Sequence, residues 1–354
     1  MKSIGVDLHK TQLTVVVLDE QGAVLEQRQL PTKCHEQIRE FFASYGRDSQ
    51  VAVEAIGLYQ WFWELVRPLV GRLVLADPAA VATLRGRQAK TDRNDARLLA
   101  ELLRAGQLPT AFVPPDHLRA LRELVRHRHS LARSLATQRR CARWLLLKHN
   151  LPGPRTLTSA AFERWLRAQQ THLSAVHQFA ARQRLDQLRV LERAVADAEQ
   201  LIDQHVAAQA DLLPQITLLE TVPGFGRLTA VTVLTETGGL TRFDDRDPLS
   251  AYAGLVPRVD RSDRTVHHGH ITKQGPPLLR WLLQQAAWVA IRTDPQARRI
   301  WVRISRKAGA KKAATALARK LLIYAWSVCR RGQPFHWPTT PVPAEPAVGW
   351  SYAI

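Results

Sequence analysis

The sequence predicts a mixed α/β domain followed by a longer, mostly helical region. Three observations support this division. Runs of alternating or β-branched apolar residues, typical of strands, fall within residues 3–77. Helical periodicity dominates the residues from 117 onwards. A proline-containing segment, "LPTAFVPPD" at 108–116, reads as a linker between the two parts.

The first part combines consecutive strands with alternating strands and helices. Three strands are predicted within 3–30, and two more at 50–55 and 72–77, separated by helical segments. Further helices are predicted at 79–86 and 92–105. This order predicts a mixed sheet, and no glycine-rich loop follows the first strand, which argues against a doubly wound dinucleotide-binding fold.

Two long helical segments follow the linker. Residues 117–148 are rich in Lys and Arg, and 160–210 carry an apolar seam with spacings of three and four, as in a coiled coil. The seam predicts either two helices packed within one subunit or a dimer interface, and the sequence favours neither. Its residues are Leu188, Leu191, Val195, Ala198 and Ile202.

The remaining segments predict a mostly helical C-terminal part. Two apolar helices flank the turn "PGFG" at 223–226, which resembles a helix-hairpin-helix whose backbone N–H groups could hold a DNA phosphate, or else a tight helical turn. Residues 250–337 are predicted to be helical apart from a glycine-punctuated loop at 254–275. The proline-rich tail, 338–354, is predicted to be disordered.

The overall charge indicates a polyanionic partner. The 354 residues carry a formal net charge of +19, which favours nucleic acid first and an anionic membrane surface second. No apolar run is long enough to span a membrane, and the N-terminus lacks a signal-peptide core. The three cysteines, Cys34, Cys141 and Cys329, form neither a disulfide framework nor a zinc spacing, so we expect a reducing cytoplasm.

Four carboxylates stand out by position. Asp7 and Glu54 lie in apolar strands, and Asp92 and Asp95 share one face of a helix. Each has a simpler reading, because a strand-end acid can meet solvent and Asp92 or Thr91 can cap the helix. Together they follow the order of an RNase H-like nuclease core. Two carboxylates 4 Å apart repel by about 4 kcal/mol at an effective dielectric constant of 20, which Mg²⁺ or Mn²⁺ would relieve.

Several motifs resemble a known family. "IGVDLHK", "VEAIGLY" and "KTDRNDARLLAE", followed by "LLETVPGFGRLTA", "AYAGLVPRVDRSD" and "GHITKQGPPLLRWLL", are similar to the DEDD transposases of insertion-sequence family 110. The resemblance runs from about residue 3 to about residue 337. It implies a RuvC-like catalytic domain at 1–108, a basic helical and coiled-coil region at 109–213, and a transposase domain at 214–337.

The resemblance also implies a mechanism and partners. Asp7, Glu54, Asp92 and Asp95 would be metal ligands, and Ser262 would be the nucleophile that becomes covalently linked to DNA. A bridge RNA would pair with donor and target DNA, and homodimers would assemble into a tetramer in the bacterial cytoplasm, associated with the nucleoid. Two other hydroxyls, Ser250 and especially Thr272, are rivals of Ser262.

Three functions therefore remain open at this point. The first is the RNA-guided recombinase, the second a RuvC-like junction endonuclease that uses water as nucleophile, and the third a non-catalytic RNA-binding protein. The basic residues predicted to contact nucleic acid are Arg258, Arg261, Arg264, Lys273, Arg280, Lys311 and Lys312. The tryptophans that could stack on unpaired bases are Trp61, Trp63, Trp144, Trp165, Trp281 and Trp288.

Overall fold

A computed structural model describes residues 1–84, 91–151, 153–262 and 265–338. At residues 170, 259–262 and 265–268 only the backbone is described. The chain divides into two compact units, the first covering residues 1–113 and the second beginning at Pro114. All but the first residue of the predicted tail lies outside the described residues.

The first unit contains a five-stranded sheet. Its strand order is β3-β2-β1-β4-β5; the first three strands are antiparallel neighbours, and β4 pairs in parallel with β1 and β5. The strands are β1 (Lys2–Leu8), β2 (Gln12–Leu18), β3 (Val24–Pro31), β4 (Ser49–Glu54) and β5 (Arg72–Ala76). The helices are α1 (His35–Tyr45), α2 (Tyr59–Val66), α3 (Pro78–Leu84) and α4 (Asp92–Arg104). The mixed sheet predicted from the sequence is confirmed.

Alternation along β1 assigns its two faces to different neighbours. Ile4, Val6 and Leu8 are buried in a core that also contains Phe42 of α1 and Phe62 of α2. Residues of the opposite parity, which include Asp7, therefore point to the other face, where α4 packs. The strand thus separates an apolar core from the face that carries the carboxylate.

Gly5 lets α4 lie directly against β1. A Cβ atom added at Gly5 would lie 1.9 Å from the backbone oxygen of Ala96 and 2.6 Å from the backbone nitrogen of Ala100. No side chain fits in that space, because both neighbours are main-chain atoms of the helix. The glycine two residues before Asp7 therefore sets how closely the helix approaches the carboxylate.

The second unit is mostly helical, in agreement with the sequence. Its helices are α5 (Asp116–Lys148), α6 (Ser159–Gln169), α7 (Ala175–Ala207), α8 (Leu212–Glu220), α9 (Arg227–Thr237), α10 (Arg246–Tyr252), α11 (Pro277–Thr293), α12 (Pro295–Ala308) and α13 (Ala310–Arg331). A single large core joins the α5 and α7 ends to the helices α8 to α13. No helix among the described residues is long and apolar enough to cross a membrane.

The seam on α7 packs within the subunit. Leu188 and Ile202 are buried in cores shared with α5, and Leu191 and Val195 are partly buried against the Leu188 core. Ala198 is buried as well. Ion pairs join Arg128 to Glu199 and Arg139 to Glu192, so the residue number rises on α5 as it falls on α7. The two helices are therefore an antiparallel pair, which is the intramolecular alternative.

The "PGFG" turn connects α8 to α9. Gly224 has a φ of +81°, and an added Cβ would lie 2.2 Å from the backbone oxygen of Ala286 on α11. Phe225 is buried, and every residue from Ala230 to Thr237 of α9 is buried too. This glycine accordingly serves close packing of the turn on α11, and its predicted contact with a DNA phosphate stays a prediction.

One secondary-structure prediction in this unit was wrong. Within the predicted loop 254–275, the backbone forms a two-stranded antiparallel hairpin of β6 (Pro257–Ser262) and β7 (Thr265–Ile271). Ser262 pairs with Thr265 at its tip. No strand was predicted here because charged and histidine residues interrupt the apolar alternation that normally marks a half-buried strand.

Candidate functional site

Three elements meet at one end of the sheet in the first unit. Val6 of β1 lies opposite Val53 of β4, so Asp7 and Glu54 come one step later on neighbouring parallel strands. Residues at matching positions of adjacent strands point to the same face. Because α4 covers that face and begins at Asp92, the fold directs the four predicted acids toward one region.

A tight cluster forms around His9. The His9 Nε2 atom lies 3.0 Å from Asp7 Oδ2 and 3.3 Å from Asp92 Oδ1. One ligand atom from each of these three residues lies within 4.8 Å of the others. Asp7 is largely buried, with 14% of its side chain exposed, whereas Asp92 and His9 are more open to solvent.

Thr91, rather than either aspartate, caps α4. Its side-chain oxygen accepts a hydrogen bond from the backbone N–H of Asn94 at 3.2 Å, and its backbone is extended. The helix therefore does not need the Asp92 or Asp95 side chain as its N-cap. Of the two roles that the sequence left open for Asp92, capping is performed by its neighbour.

The electrostatics of Asp7 reflect crowded carboxylates. Burial raises the pKa of the Asp7 carboxyl above its ordinary value; His9 opposes this shift, and the charges of Asp92 and Asp95 add to it. Partial burial lowers the pKa of His9, but the Asp7 and Asp92 carboxylates outweigh it, so the His9 pKa is raised. Asp95 thus acts on Asp7 through its charge, although it lies outside the tight cluster.

The arrangement fits a hard divalent cation. Metal–oxygen distances of about 2.1 Å place ligand atoms on opposite sides of Mg²⁺ about 4.2 Å apart, which is compatible with the spread of this cluster. Glu54 and Asp95 are not members of the compact three-residue group among the described side chains. Of the four predicted acids, Asp7 and Asp92 thus belong to this group, and Glu54 lies on the neighbouring strand β4.

His9 is the residue that sequence reasoning missed. It follows Asp7 by two positions, in "VDLHK", just after the end of β1, and its ring reaches the Asp7 carboxylate. That spacing was a usable signal. A histidine beside a predicted metal ligand could have been included in the candidate set on that ground alone.

The hydroxyl candidates differ in what surrounds them. Ser262 ends β6, and its side chain lies outside the described atoms. Ser250 is fully buried in α10. The Thr272 hydroxyl is buried as well, and it has no hydrogen-bond partner among the described residues. Neither rival hydroxyl is open to an incoming phosphate in this conformation.

The basic residues predicted to contact nucleic acid separate into groups. Arg258, Lys273, Lys311 and Lys312 are exposed. Arg280 instead donates to the carbonyl oxygens of Ala253, Gln274 and Gly275, and burial lowers its pKa. These contacts hold the turn before α11. Arg261 has only its backbone described, and Arg264 lies outside the described residues.

A cationic groove of about 620 Å³ lies along α12. Six exposed cations line it: Arg292, Arg298, Arg299, Arg303, Arg306 and Lys307. Asp294 is the one acid in this lining, and its oxygens already accept from the Ala297 N–H at 2.7 Å and the Trp337 indole N–H at 3.1 Å. The groove thus crowds positive charge without a described carboxylate partner for it.

Comparison with protein families matches two parts of the chain. Residues 4–150 match the model for DEDD transposases of the IS110 type, described as "Transposase". Residues 216–302 match the model described as "Transposase IS116/IS110/IS902 family". The first match contains all four predicted acids, and the second contains Ser262 and the turn at 223–226.

Individual relatives agree with these family matches. The "Putative transposase y4qE" of Sinorhizobium fredii is 33% identical over 66% of this chain, which spans only 55% of that relative's length. The "Probable family 20 transposase" of Pseudomonas aeruginosa is 28% identical over 94% of this chain and 97% of its own. The "Pilin gene-inverting protein" of Moraxella bovis is 29% identical over 42% of this chain and 48% of its own.

Proposed function

This chain belongs to the IS110 family of DNA transposases, and we propose that it is an RNA-guided recombinase that cuts and rejoins donor and target DNA. The observation that carries the proposal is the acidic cluster of the first unit, where Asp7 and Asp92 converge on one point. The strand order, three antiparallel strands extended by two parallel ones, supports an RNase H-like, RuvC-like fold for it.

The acids would hold Mg²⁺ or Mn²⁺. Asp7 and Asp92 would be the primary ligands, and Glu54 and Asp95 would complete the set from the adjacent strand and helix turn. A bound divalent ion would stabilise negative charge on a phosphodiester during its cleavage. His9 would orient the two carboxylates, because its Nε2 atom contacts both.

Ser262 would be the nucleophile. Its Oγ atom would form a bond to the DNA phosphorus while a phosphorus–oxygen bond of the DNA breaks, and the released sugar oxygen would take up the proton that the serine hydroxyl loses. The covalent link conserves the phosphodiester, so rejoining needs no external energy source. The burial of the Ser250 and Thr272 hydroxyls supports this choice over its rivals.

The basic surfaces would position nucleic acid. Lysine and arginine contacts with phosphate give affinity without reading sequence, which suits a protein whose guide RNA reads the DNA by pairing. The exposed residues Arg258, Lys273, Lys311 and Lys312 and the α12 groove would supply such contacts. The Moraxella relative is named for inverting a gene, which is a DNA rearrangement.

The three segments expected from the sequence would each have a separate role. Residues 1–108 would be catalytic, 109–213 would form the basic helical region, and 214–337 would carry the nucleophile. The protein would act as a homodimer that assembles into a tetramer on DNA, in the bacterial cytoplasm and in contact with the nucleoid.

The decisive test is the covalent adduct. Purified protein, guide RNA, and labelled donor and target DNA are incubated with Mg²⁺ and resolved under denaturing conditions. We expect a protein–DNA adduct that Ser262→Ala abolishes. Thr272→Val is the matched control, because a buried hydroxyl without a partner can be replaced by a methyl group at little cost, and the adduct should persist.

Other results would identify the alternatives. Cleavage by Ser262→Ala without any adduct, lost in Asp92→Asn, would indicate a RuvC-like endonuclease that uses water. An adduct lost only in Thr272→Val would make Thr272 the nucleophile. RNA binding without DNA cleavage under Mg²⁺ or Mn²⁺ would indicate a non-catalytic RNA-binding protein.

A further inference from the structure

A second cavity of the helical unit has a composition unlike that of the α12 groove. It has a volume of about 660 Å³ and lies between α5, the end of α9 and the start of α11. It combines cations, an aromatic ring and an apolar floor. Its lining residues are Arg126, His129, Arg133, Glu236, Pro276, Pro277, Leu278 and Trp281.

The structure separates the six tryptophans that the sequence could not distinguish. Trp63 and Trp165 are buried, and Trp288 packs against Trp301. Trp61 stacks on His35, with ring centroids 5.3 Å apart. The two large exposed rings are Trp144, 70% exposed, and Trp281, 48% exposed. Only Trp281 of these two lines one of the described cavities.

Trp281 has a fixed aromatic neighbour. The rings of His129 on α5 and Trp281 on α11 lie 4.8 Å apart and are inclined by 58°. Burial, together with the charges of Arg133 and Arg128, lowers the pKa of His129, so its ring is neutral at neutral pH. The Trp281 ring is thus held against a second helix while much of its surface faces solvent.

The cationic side of the cavity is anchored by a buried carboxylate. Glu236 is fully buried and accepts two hydrogen bonds from Arg126, at 2.7 Å to Nε and 2.8 Å to Nη2. This bidentate contact raises the pKa of Arg126 and fixes its guanidinium at the rim. Arg133 is exposed, and its guanidinium has no described partner.

We propose that this cavity binds an unpaired nucleotide, whose base stacks on Trp281 and whose phosphate contacts Arg133 and Arg126. A base within a duplex has both faces covered by its neighbours, so an exposed ring in a cavity selects an unpaired one. The volume falls within the range of about 300–1,000 Å³ for small-ligand sites. The inference rests on the proposed function in that nucleic acid is the partner.

A neighbouring cavity extends the site along α5. It has a volume of about 470 Å³ and shares Arg126, His129 and Arg133 with the cavity that Trp281 lines. Its other lining residues are Ser130, Ser134, Thr137 and Gln138, which offer hydroxyl and amide groups to a sugar-phosphate chain. The strand that supplies the base would therefore continue along this helix.

The test measures binding by fluorescence anisotropy with the full chain. The probes are a labelled single-stranded RNA, the single-stranded DNA of the same sequence, and the blunt DNA duplex. We expect Trp281→Ala to bind both single strands about 10-fold more weakly, the usual effect of losing one base–aromatic stack. Trp281→Phe should retain most of the affinity, and duplex binding should change less than 2-fold, about the noise of such a comparison.

Trp144→Ala is the matched control, because Trp144 is also an exposed tryptophan and lies on the same basic helix as His129. This variant should bind the probes as tightly as the wild-type protein does. Arg133→Ala should weaken binding and lower the salt slope by about 1, and it decides the question if Trp281→Ala fails to fold. A preference between the RNA and DNA strands identifies which one occupies the site.

Two results would contradict the inference. Wild-type affinity of Trp281→Ala for both single strands would exclude stacking, while leaving metal-dependent cleavage and the proposed function intact. An equal loss for single strand and duplex would indicate a general structural effect and would overturn it too. Failure of the wild-type protein to bind any probe would contradict both this inference and the proposed function.

Discussion

The acidic cluster of the first unit and the cationic groove of the second both crowd like charges, but they do so in different ways. The acids are carried by short side chains at the ends of strands and at the first turn of a helix; Asp7 and Asp95 are largely buried. The cations are carried by long, exposed side chains along one helix. Each arrangement costs electrostatic energy unless an opposite charge binds.

The difference indicates two kinds of ligand. Short, buried carboxylates fixed by a sheet can match a small ion to within tenths of an ångström, so each position matters. Flexible arginines adapt to a polymer of phosphates, where the number of charges matters more than their exact placement. Substitutions in the first region should thus act as all-or-none changes, and those in the second as graded ones.

The largest expected effect is on catalysis at the acidic cluster. Asp7→Asn removes a ligand charge at nearly constant volume, so DNA cleavage should fall by more than about 100-fold, beyond the loss typical of an outer-shell partner. The measurement is single-turnover cleavage with Mg²⁺. Asp48→Asn, an exposed aspartate just before β4, is the control and should cleave normally. Normal cleavage by Asp7→Asn would contradict the role of Asp7 as a metal ligand, and with it the all-or-none behaviour expected of the acidic cluster.

A second substitution perturbs the geometry of this region without touching its charges. Gly5→Ala places a methyl group 1.9 Å from the Ala96 oxygen, so α4 must move away from β1. We expect a loss of about 1–3 kcal/mol in the free energy of unfolding and reduced cleavage as Asp92 leaves Asp7. Urea denaturation measures the first effect. Gly57→Ala, with open space around the added Cβ, should show neither.

DNA binding by the cationic groove should weaken stepwise as exposed arginines are removed. Arg299→Ala and Arg303→Ala each remove one exposed cation from the lining, and each should weaken duplex binding several-fold and lower the salt slope by about 1. The double variant should show the sum of both changes. Binding isotherms at several salt concentrations test this, and an abrupt loss after a single substitution would contradict the graded behaviour.

The smallest expected effect is a gain of stability at the acidic cluster. Since the folded-state pKa of Asp7 is raised, its contribution to stability is present at low pH and lost as the pH rises through that pKa. Without metal, Asp7→Asn should therefore raise the melting temperature at pH 7, and raise it less at pH 4. Thermal unfolding in EDTA checks this; a lower melting temperature at pH 7 would contradict it.

The sequence predicted what local patterns determine. All five strands of the first unit were found, because alternating or β-branched apolar residues mark them, and the approach of Asp92 to Asp7 followed from the order of the acids along the chain. The hairpin at 257–271 was missed because its strands lack an apolar face. Whether the α7 seam packs on α5 or on another subunit was undecidable, since both give the same pattern.

Other parts of the candidate sites depend on contacts between distant segments. The pairing of Arg126 with Glu236 joins residues 110 positions apart, and the contact of His129 with Trp281 spans an even longer stretch of chain. No local pattern distinguishes Trp281 from Trp63, although one is exposed in a cavity and the other is buried. His9 was within reach of the sequence, because its spacing from Asp7 is local.

The most direct test of the central claim maps the metal ion itself. The full-length protein is loaded with Fe²⁺ in place of Mg²⁺, and ascorbate with peroxide generates hydroxyl radicals that cut the backbone beside the ion. We expect cuts at the ends of β1 and β4 and at the start of α4, suppressed by excess Mg²⁺ and absent in Asp7→Asn. Cuts confined to other segments, in a preparation that cleaves DNA, would contradict it.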